Sequence, residues 1–140
     1  MHCVSNYPVM NADANLNSIN YLKSKLKMEI GYSDHTIGIL APIIAYSLGA
    51  NIIEKHFTLD NNFSKFRDHK LSLNPKDMKN LISQLNQASE MFGVFGKRLS
   101  NNETKNFKSM RRSFYASQDI IKGEKLTIEK IKFVRPYKNS

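Results

Sequence analysis

Two histidine-containing segments decide the fold: residues 31–36 read GYSDHT, and residues 51–57 read NIIEKHF. Each segment looks like a short β-strand that ends near its histidine, and residues 39–48 between them are apolar nearly all round and stop at a glycine. A strand, a buried helix and a second strand at this spacing predict a βαβ unit with parallel strands. Parallel strands bring their carboxyl ends to one edge of a sheet, where ligands bind. We therefore expect His35 and His56 to lie close together at that edge.

The same pattern extends in both directions along the chain. Residues 1–8 resemble a strand stopped by a proline, and residues 13–27 have the apolar spacing of an amphipathic helix. After the third strand, a polar loop over residues 58–73 leads to Asn74, which predicts the start of a further helix because proline follows it. The order β-α-β-α-β-α predicts an α/β fold with right-handed crossovers.

The sequence changes character after residue 96. Residues 97–110 are basic and rich in asparagine, and they predict a linker. Residues 111–140 contain short β-like runs around a turn at residues 122–124, which predicts a second, small β-rich unit. Two or three strands rarely make a stable domain alone, and an all-parallel sheet with open edges needs covering. We therefore expect both units, 1–96 and 111–140, to be parts of larger domains.

Composition limits the function classes. The chain has 140 residues, a net charge of +9 and one cysteine, Cys3, which is expected to be a small buried side chain in a reducing compartment. No stretch approaches the roughly 20 apolar residues of a membrane span, so we expect a cytoplasmic protein without a membrane partner. The basic residues are scattered and follow no nucleic-acid-binding motif. A solvated, lysine-rich surface is favoured, with attraction of anionic substrates as the alternative and nucleic-acid binding behind both.

Strand alternation predicts a polar site. One pair of polar side chains per strand falls on a consistent face near the strand end: Ser5 with Tyr7, Ser33 with His35, and Glu54 with His56. Two imidazoles at one edge can share a divalent metal and leave positions open for water and substrate. Such an ion polarises a carbonyl oxygen as a Lewis acid. The alternative is a pair of hydrogen-bonded structural histidines.

The neighbours of these residues have other expected roles. Asp34 lies on the face opposite Ser33, and we expect it to anchor the following loop by accepting hydrogen bonds from backbone N–H groups. Lys55 is expected to be solvated, with a phosphate or carboxylate partner as the alternative. Asp68 lies in the polar loop, which can fold back over the strand ends, although the residues alone slightly favour a solvated loop carboxylate.

Four segments together resemble a known family. Residues 2–8, 31–36, 49–58 and 68–70 are similar to the sialic acid (N-acetylneuraminate) synthase family, which includes legionaminate and pseudaminate synthases. Residues 112–136 are similar to the start of that family's antifreeze-like (SAF) domain. The resemblance implies an α/β chain made of the C-terminal three βα units of a TIM barrel, followed by a truncated, small β-rich SAF domain.

The resemblance also implies a reaction and site roles. The family condenses phosphoenolpyruvate with an N-acetylated amino-sugar aldehyde, releases phosphate, uses Mn²⁺ or Mg²⁺ and works as a homodimer. By resemblance, the roles are metal ligands at His35 and His56, substrate contacts at Ser5, Tyr7 and Ser33, and a catalytic acid at Asp68. Because the family's phosphoenolpyruvate-binding residues lie on earlier strands, this chain is expected to be an inactive fragment by itself. Two alternatives are a different metal-dependent barrel aldolase and a non-catalytic remnant or binding module.

Overall fold

The computed structural model describes residues 1–137 apart from the side chain of Arg67. The chain forms two compact units, Met1–Val94 and Phe95–Ser140, which divide close to the boundary expected at residue 96. The last three residues of the expected 111–140 unit lie outside the described residues. Within the described part of the chain, no helix has the length and apolar character needed to cross a membrane.

The first unit contains a sheet of three parallel strands in the order β1-β2-β3: β1 His2–Cys3, β2 Gly31–Asp34 and β3 Ile52–Lys55. Its register aligns Cys3 with Ser33 and Ser33 with Glu54. The α/β class with parallel strands is confirmed. The first strand is shorter than expected, because the chain turns at once after it: the Asn6 N–H donates to the Val4 carbonyl at 2.9 Å.

The helices of this unit are α1 Ser18–Leu26, α2 Leu40–Ser47, α3 Arg67–Leu71 and α4 Pro75–Phe92. The start of α4 is confirmed, since the Asn74 side chain accepts a hydrogen bond from the Asp77 N–H at 2.9 Å. The prediction of a single helix over residues 13–27 was wrong in extent, because α1 begins only at Ser18. A 3-10 turn at Asn11–Asp13 precedes α1, and Asn15 between them has a φ of 42°.

The prediction of a polar loop over residues 58–73 was wrong in part, because this stretch contains α3. The reason is a non-local clamp: the Asn61 side-chain amide donates to the carbonyls of His69 at 2.9 Å and Ser72 at 2.8 Å. These bonds hold the end of a helix whose sequence has no apolar periodicity.

The core of the first unit lies between the helices and one face of the sheet. Its buried members are Ile19, Ile30, Tyr32, Ala41, Ala45 and Ala50. The buried residues of α2 are Ala41, Pro42 and Ala45, whereas Leu40 is 64% and Ile44 40% exposed. The expectation that α2 is buried all round was therefore wrong. Since the core uses one face of the sheet, the opposite face of β2 and β3 is left for the predicted site.

The second unit contains a helix and a two-stranded antiparallel sheet: α5 Asn101–Met110, β4 Ser113–Ala116 and β5 Ile131–Val134. The stretch 97–110, expected to be a linker, is thus mostly helical. A reciprocal cap explains the helix: the Glu103 N–H donates to the Ser100 hydroxyl, and the Ser100 N–H donates to the Glu103 carboxylate at 2.8 Å. The expected turn before β5 is present, with Gly123 at a φ of 89°.

Candidate functional site

His35 and His56 lie side by side at the carboxyl ends of β2 and β3. Each histidine directly follows the last residue of its strand, and those last residues, Asp34 and Lys55, are register partners. The two imidazole centroids are 5.2 Å apart with their planes at 67°. The Tyr7 ring lies 4.1 Å from His35 and 5.8 Å from His56. The expectation that the two histidines meet at one edge is confirmed, and Tyr7 joins them.

The backbone contact of His35 sets its tautomer. His35 is 5% exposed, and its Nδ1 lies 2.9 Å from the Val4 carbonyl oxygen. Because a carbonyl oxygen only accepts hydrogen bonds, Nδ1 carries a proton and the neutral ring keeps its lone pair on Nε2. This arrangement is typical of metal-binding histidines, whose second nitrogen is held by a carbonyl or carboxylate.

A second polar layer, Ser33 and Glu54, lies two residues before the histidines on the same face of the strands. The Ser33 hydroxyl donates to the Glu54 carboxylate at 2.6 Å, and the aligned Cys3 places its Sγ 4.0 Å from His35 Nδ1. Cys3 is exposed, so the expectation of a buried cysteine was wrong, because β1 ends at this residue and its side chain belongs to the site face. Strand alternation predicted that Glu54 shares the face of His56 near the strand end, and its register with Ser33 agrees with that prediction.

The other face of the same strand ends carries a buried ion pair. Lys55 Nζ lies 2.7 Å from Asp34 Oδ2, and the side chains are 1% and 0% exposed. Asp34 also accepts a bond from the Thr36 N–H at 2.8 Å, which confirms that it anchors the following turn. The expectation that Lys55 is solvated was wrong, and the alternative, a carboxylate partner, is what the structure shows. The signal that sequence reasoning missed is the register, which makes Asp34 and Lys55 partners on one face.

Tyr32 completes this buried network. Its hydroxyl donates to Asp34 Oδ1 at 2.9 Å, and the residue is 2% exposed. Burial, together with the adjacent Asp34 charge, raises the pKa of the Tyr32 hydroxyl well above its usual range. The hydroxyl therefore remains a donor at physiological pH.

The segment with Asp68 returns to the end of β3. The Leu73 N–H donates to the His56 carbonyl at 2.8 Å, and the Thr58 N–H donates to the Leu73 carbonyl at 3.0 Å. Asp68 is in the first turn of α3, just before this pairing, with one carboxylate oxygen buried. Ser5 is exposed, two residues before Tyr7. The roles given to Ser5 and Asp68 stay predictions.

The two histidines offer part of a metal-ligand set. Among the described residues, no group of three or more His, Cys, Asp or Glu side chains is arranged to hold a metal ion. An ion at this edge would therefore have the two imidazoles as its ligands from the described residues and would take the others from water or substrate. This donor set fits a catalytic site with open positions rather than a closed structural one.

Comparison with known proteins shows the family. The NeuB family profile matches residues 1–97. The chain is 39% identical over 136 residues to an N,N'-diacetyllegionaminic acid synthase of Legionella pneumophila, a match that covers 97% of this chain and 38% of the relative. It is 42% identical over 136 residues to a pseudaminic acid synthase of Campylobacter jejuni, covering 97% of this chain and 39% of the relative. The chain thus spans well under half the length of these curated relatives.

A solved structure gives the same result. The crystal structure of N-acetylneuraminic acid (sialic acid) synthetase from Leptospira borgpetersenii, in complex with citrate, superposes with a TM-score of 0.67 and 39% identity. The match covers 75% of this chain and 36% of that one. The resemblance inferred from the sequence is confirmed: the chain belongs to the NeuB family.

Proposed function

We propose that this chain supplies one part of the active site of a nonulosonic acid synthase, which condenses phosphoenolpyruvate with an N-acetylated amino-sugar aldehyde and releases phosphate. The observation that carries the proposal is the pair His35 and His56, 5.2 Å apart at adjoining strand ends. The similarity to a legionaminic acid synthase and a pseudaminic acid synthase supports the product class.

The proposal includes the finer architecture. Residues 1–96 would be the C-terminal part of a TIM barrel, and residues 111–140 the start of a SAF domain in a homodimeric, cytoplasmic enzyme. Parallel strands with helices on one face and the candidate site at their carboxyl ends support the barrel. The likeness to a sialic acid synthetase structure supports it further.

His35 and His56 would hold Mn²⁺ or Mg²⁺, which when bound acts as a Lewis acid on the sugar's aldehyde oxygen. Mg²⁺ strongly prefers oxygen ligands, so two imidazoles favour Mn²⁺ of the two. The Val4 carbonyl keeps the His35 ring in the tautomer that offers Nε2. A neighbouring carboxylate, Glu54, adds negative charge one layer below and favours a cation at the pair.

Other residues of the chain would bind and orient the sugar. The Tyr7 ring packs against both imidazoles and restricts the approach of the aldehyde to the remaining open side. The segment that contains Asp68 is hydrogen-bonded to the His56 backbone. Asp68 would accept a hydrogen bond from a sugar hydroxyl and act as the catalytic acid near the reacting oxygen. Ser33 and Ser5 would contribute hydroxyl groups to the substrate surface.

A chimera tests the proposal. This chain replaces the 136 matching residues of the Legionella pneumophila synthase, and phosphate release is measured with Mn²⁺, phosphoenolpyruvate and that enzyme's N-acetylated sugar. We expect release above that of a matched His56→Ala chimera by at least about 100-fold. A folded chimera that binds Mn²⁺ and phosphoenolpyruvate but releases no phosphate would contradict the proposal and favour a non-catalytic binding module. The other alternative, an unrelated barrel aldolase, loses its support with the family match.

A further inference from the structure

A buried ion pair lies directly behind the two histidines. Asp34 and Lys55 precede His35 and His56 in their strands, and because side chains alternate along a strand, they lie on the opposite face. Their charged atoms are 2.7 Å apart, and both side chains are almost fully buried. Burying two charges costs much of what their attraction returns, and apolar residues of equal volume often stabilise a protein as well or better. Stability alone is therefore a poor explanation for this pair.

The bonds of the pair converge on the turn that carries His35. Asp34 Oδ1 accepts from the Thr36 N–H at 2.8 Å, and Asp34 Oδ2 lies 3.2 Å from the Thr36 hydroxyl. Lys55 Nζ donates to the Thr36 carbonyl as well as to Asp34. The residues on both sides of His35 are thus bonded to the strand that carries His56. This network joins the two strand ends at the place where their separation determines the separation of the imidazoles.

We propose that Asp34 and Lys55 are positioning residues, which hold His35 and His56 at the spacing and orientation that the site requires. What the histidines hold rests on the function proposed above, whereas the positioning itself does not. The pair acts through the backbone. Asp34 accepts a hydrogen bond from the turn after β2, and Lys55 joins that turn to β3 by hydrogen bonds. The positions of the two imidazoles on the other face are fixed as a result.

The test uses a variant that keeps the volume and removes the charges. The double substitution Asp34→Asn with Lys55→Met is compared with Glu124→Gln with Lys130→Met, a matched change at an ion pair in the other unit. The main readout, taken on the metal-free full chain, is the imidazole ¹⁵N spectrum, which reports the tautomer of each histidine. The affinity for added Mn²⁺ is measured separately on the same proteins.

In the wild type we expect His35 as the Nδ1–H tautomer, in agreement with its bond to the Val4 carbonyl. In the double variant we expect the ¹⁵N chemical shifts of the His35 ring to move toward the average of the two tautomers. The nuclear Overhauser effects between the Tyr7 and His35 rings should weaken, and Mn²⁺ should bind at least tenfold more weakly. The Glu124/Lys130 variant should keep the wild-type spectrum. A folded double variant with unchanged histidine spectra would overturn the proposal.

A second variant keeps the test decisive if the double variant does not fold. Asp34→Glu preserves the charge and lengthens the arm by one methylene, so the turn and the His35 signals should shift while the chain remains folded. Unchanged His35 and His56 signals in Asp34→Glu would equally contradict positioning. Failure of the proposed function gives a different result, because a wild type that binds no Mn²⁺ can still show the expected spectral changes in these variants.

Discussion

The two faces of the strand pair β2–β3 are both polar but are organised in opposite ways. On the helix-facing side, Asp34 and Lys55 are buried and paired within a network that includes Tyr32. On the open side, His35 and His56 meet edge to face above an exposed Glu54. The first face uses its polar groups to hold the strand ends, whereas the second brings together the two imidazoles proposed above as metal ligands. Adjacent residues at each strand end therefore have different surroundings, because they lie on opposite faces of the sheet.

The largest expected difference between the faces is in stability. Lys55→Ala leaves the Asp34 charge buried without its cation and should lower the free energy of unfolding by about 3–5 kcal/mol. Glu54→Ala, the neighbouring change on the open face, should lower it by less than about 1 kcal/mol because Glu54 is exposed. Urea unfolding measures both, and equal losses would contradict the division of roles.

Tyr32→Phe gives an intermediate loss on the helix-facing side. Removing a buried hydrogen bond to a charged acceptor should cost about 1.5–3 kcal/mol. Burial raises the pKa of Tyr32 in the folded chain, so its contribution is complete below the unfolded pKa of about 10 and is lost as the pH rises toward the folded value. The advantage of the wild type over Tyr32→Phe should therefore be constant from pH 7 to 9 and shrink above pH 10. An advantage that grows above pH 10 would show that this account of Tyr32 is wrong.

His56→Ala probes the open face and should separate stability from binding. The half-buried ring contacts Tyr7 and His35, and its removal should cost only about 1 kcal/mol in urea unfolding. Mn²⁺ affinity, measured by calorimetry, should fall at least about tenfold because one of the two imidazole ligands is lost. Wild-type Mn²⁺ affinity in a folded His56→Ala chain would mean that this ring is structural.

The smallest expected effect is that of Ser33→Ala. It removes the hydroxyl that donates to Glu54 at 2.6 Å, but the exposed carboxylate can bond to water instead. The free energy of unfolding should change by no more than about 1 kcal/mol. A loss as large as that of Lys55→Ala would place the structural role on the open face and reverse the comparison.

The parts of the site that depend on local pattern could be predicted from the sequence. The spacing of His35 and His56 and the alternation along their strands predicted the meeting of the two rings. The position of Asp34 at the strand end, on the face opposite Ser33, predicted the anchored turn. Asn74 before a proline predicted the start of α4. Each of these features involves residues that are close in sequence or obey one period.

The features that escaped prediction depend on contacts between distant residues. The burial of Lys55 follows from its register with Asp34, and nothing in the sequence around Lys55 indicates a partner. Helix α3 follows from the clamp by Asn61 rather than from its own periodicity. The basic stretch before β4 was predicted to be a linker from its charge and composition. That prediction overlooked the reciprocal cap between Ser100 and Glu103, which starts α5.

The most direct test of the account is electron spin-echo spectroscopy of Mn²⁺ added to the chain. We expect modulation from two imidazole nitrogens in the wild type, from one in His35→Ala and His56→Ala, and from none in the double alanine variant. Bound Mn²⁺ whose spectrum shows no imidazole nitrogen in the wild type, or the same nitrogens in all four proteins, would contradict the claim that His35 and His56 form the metal site.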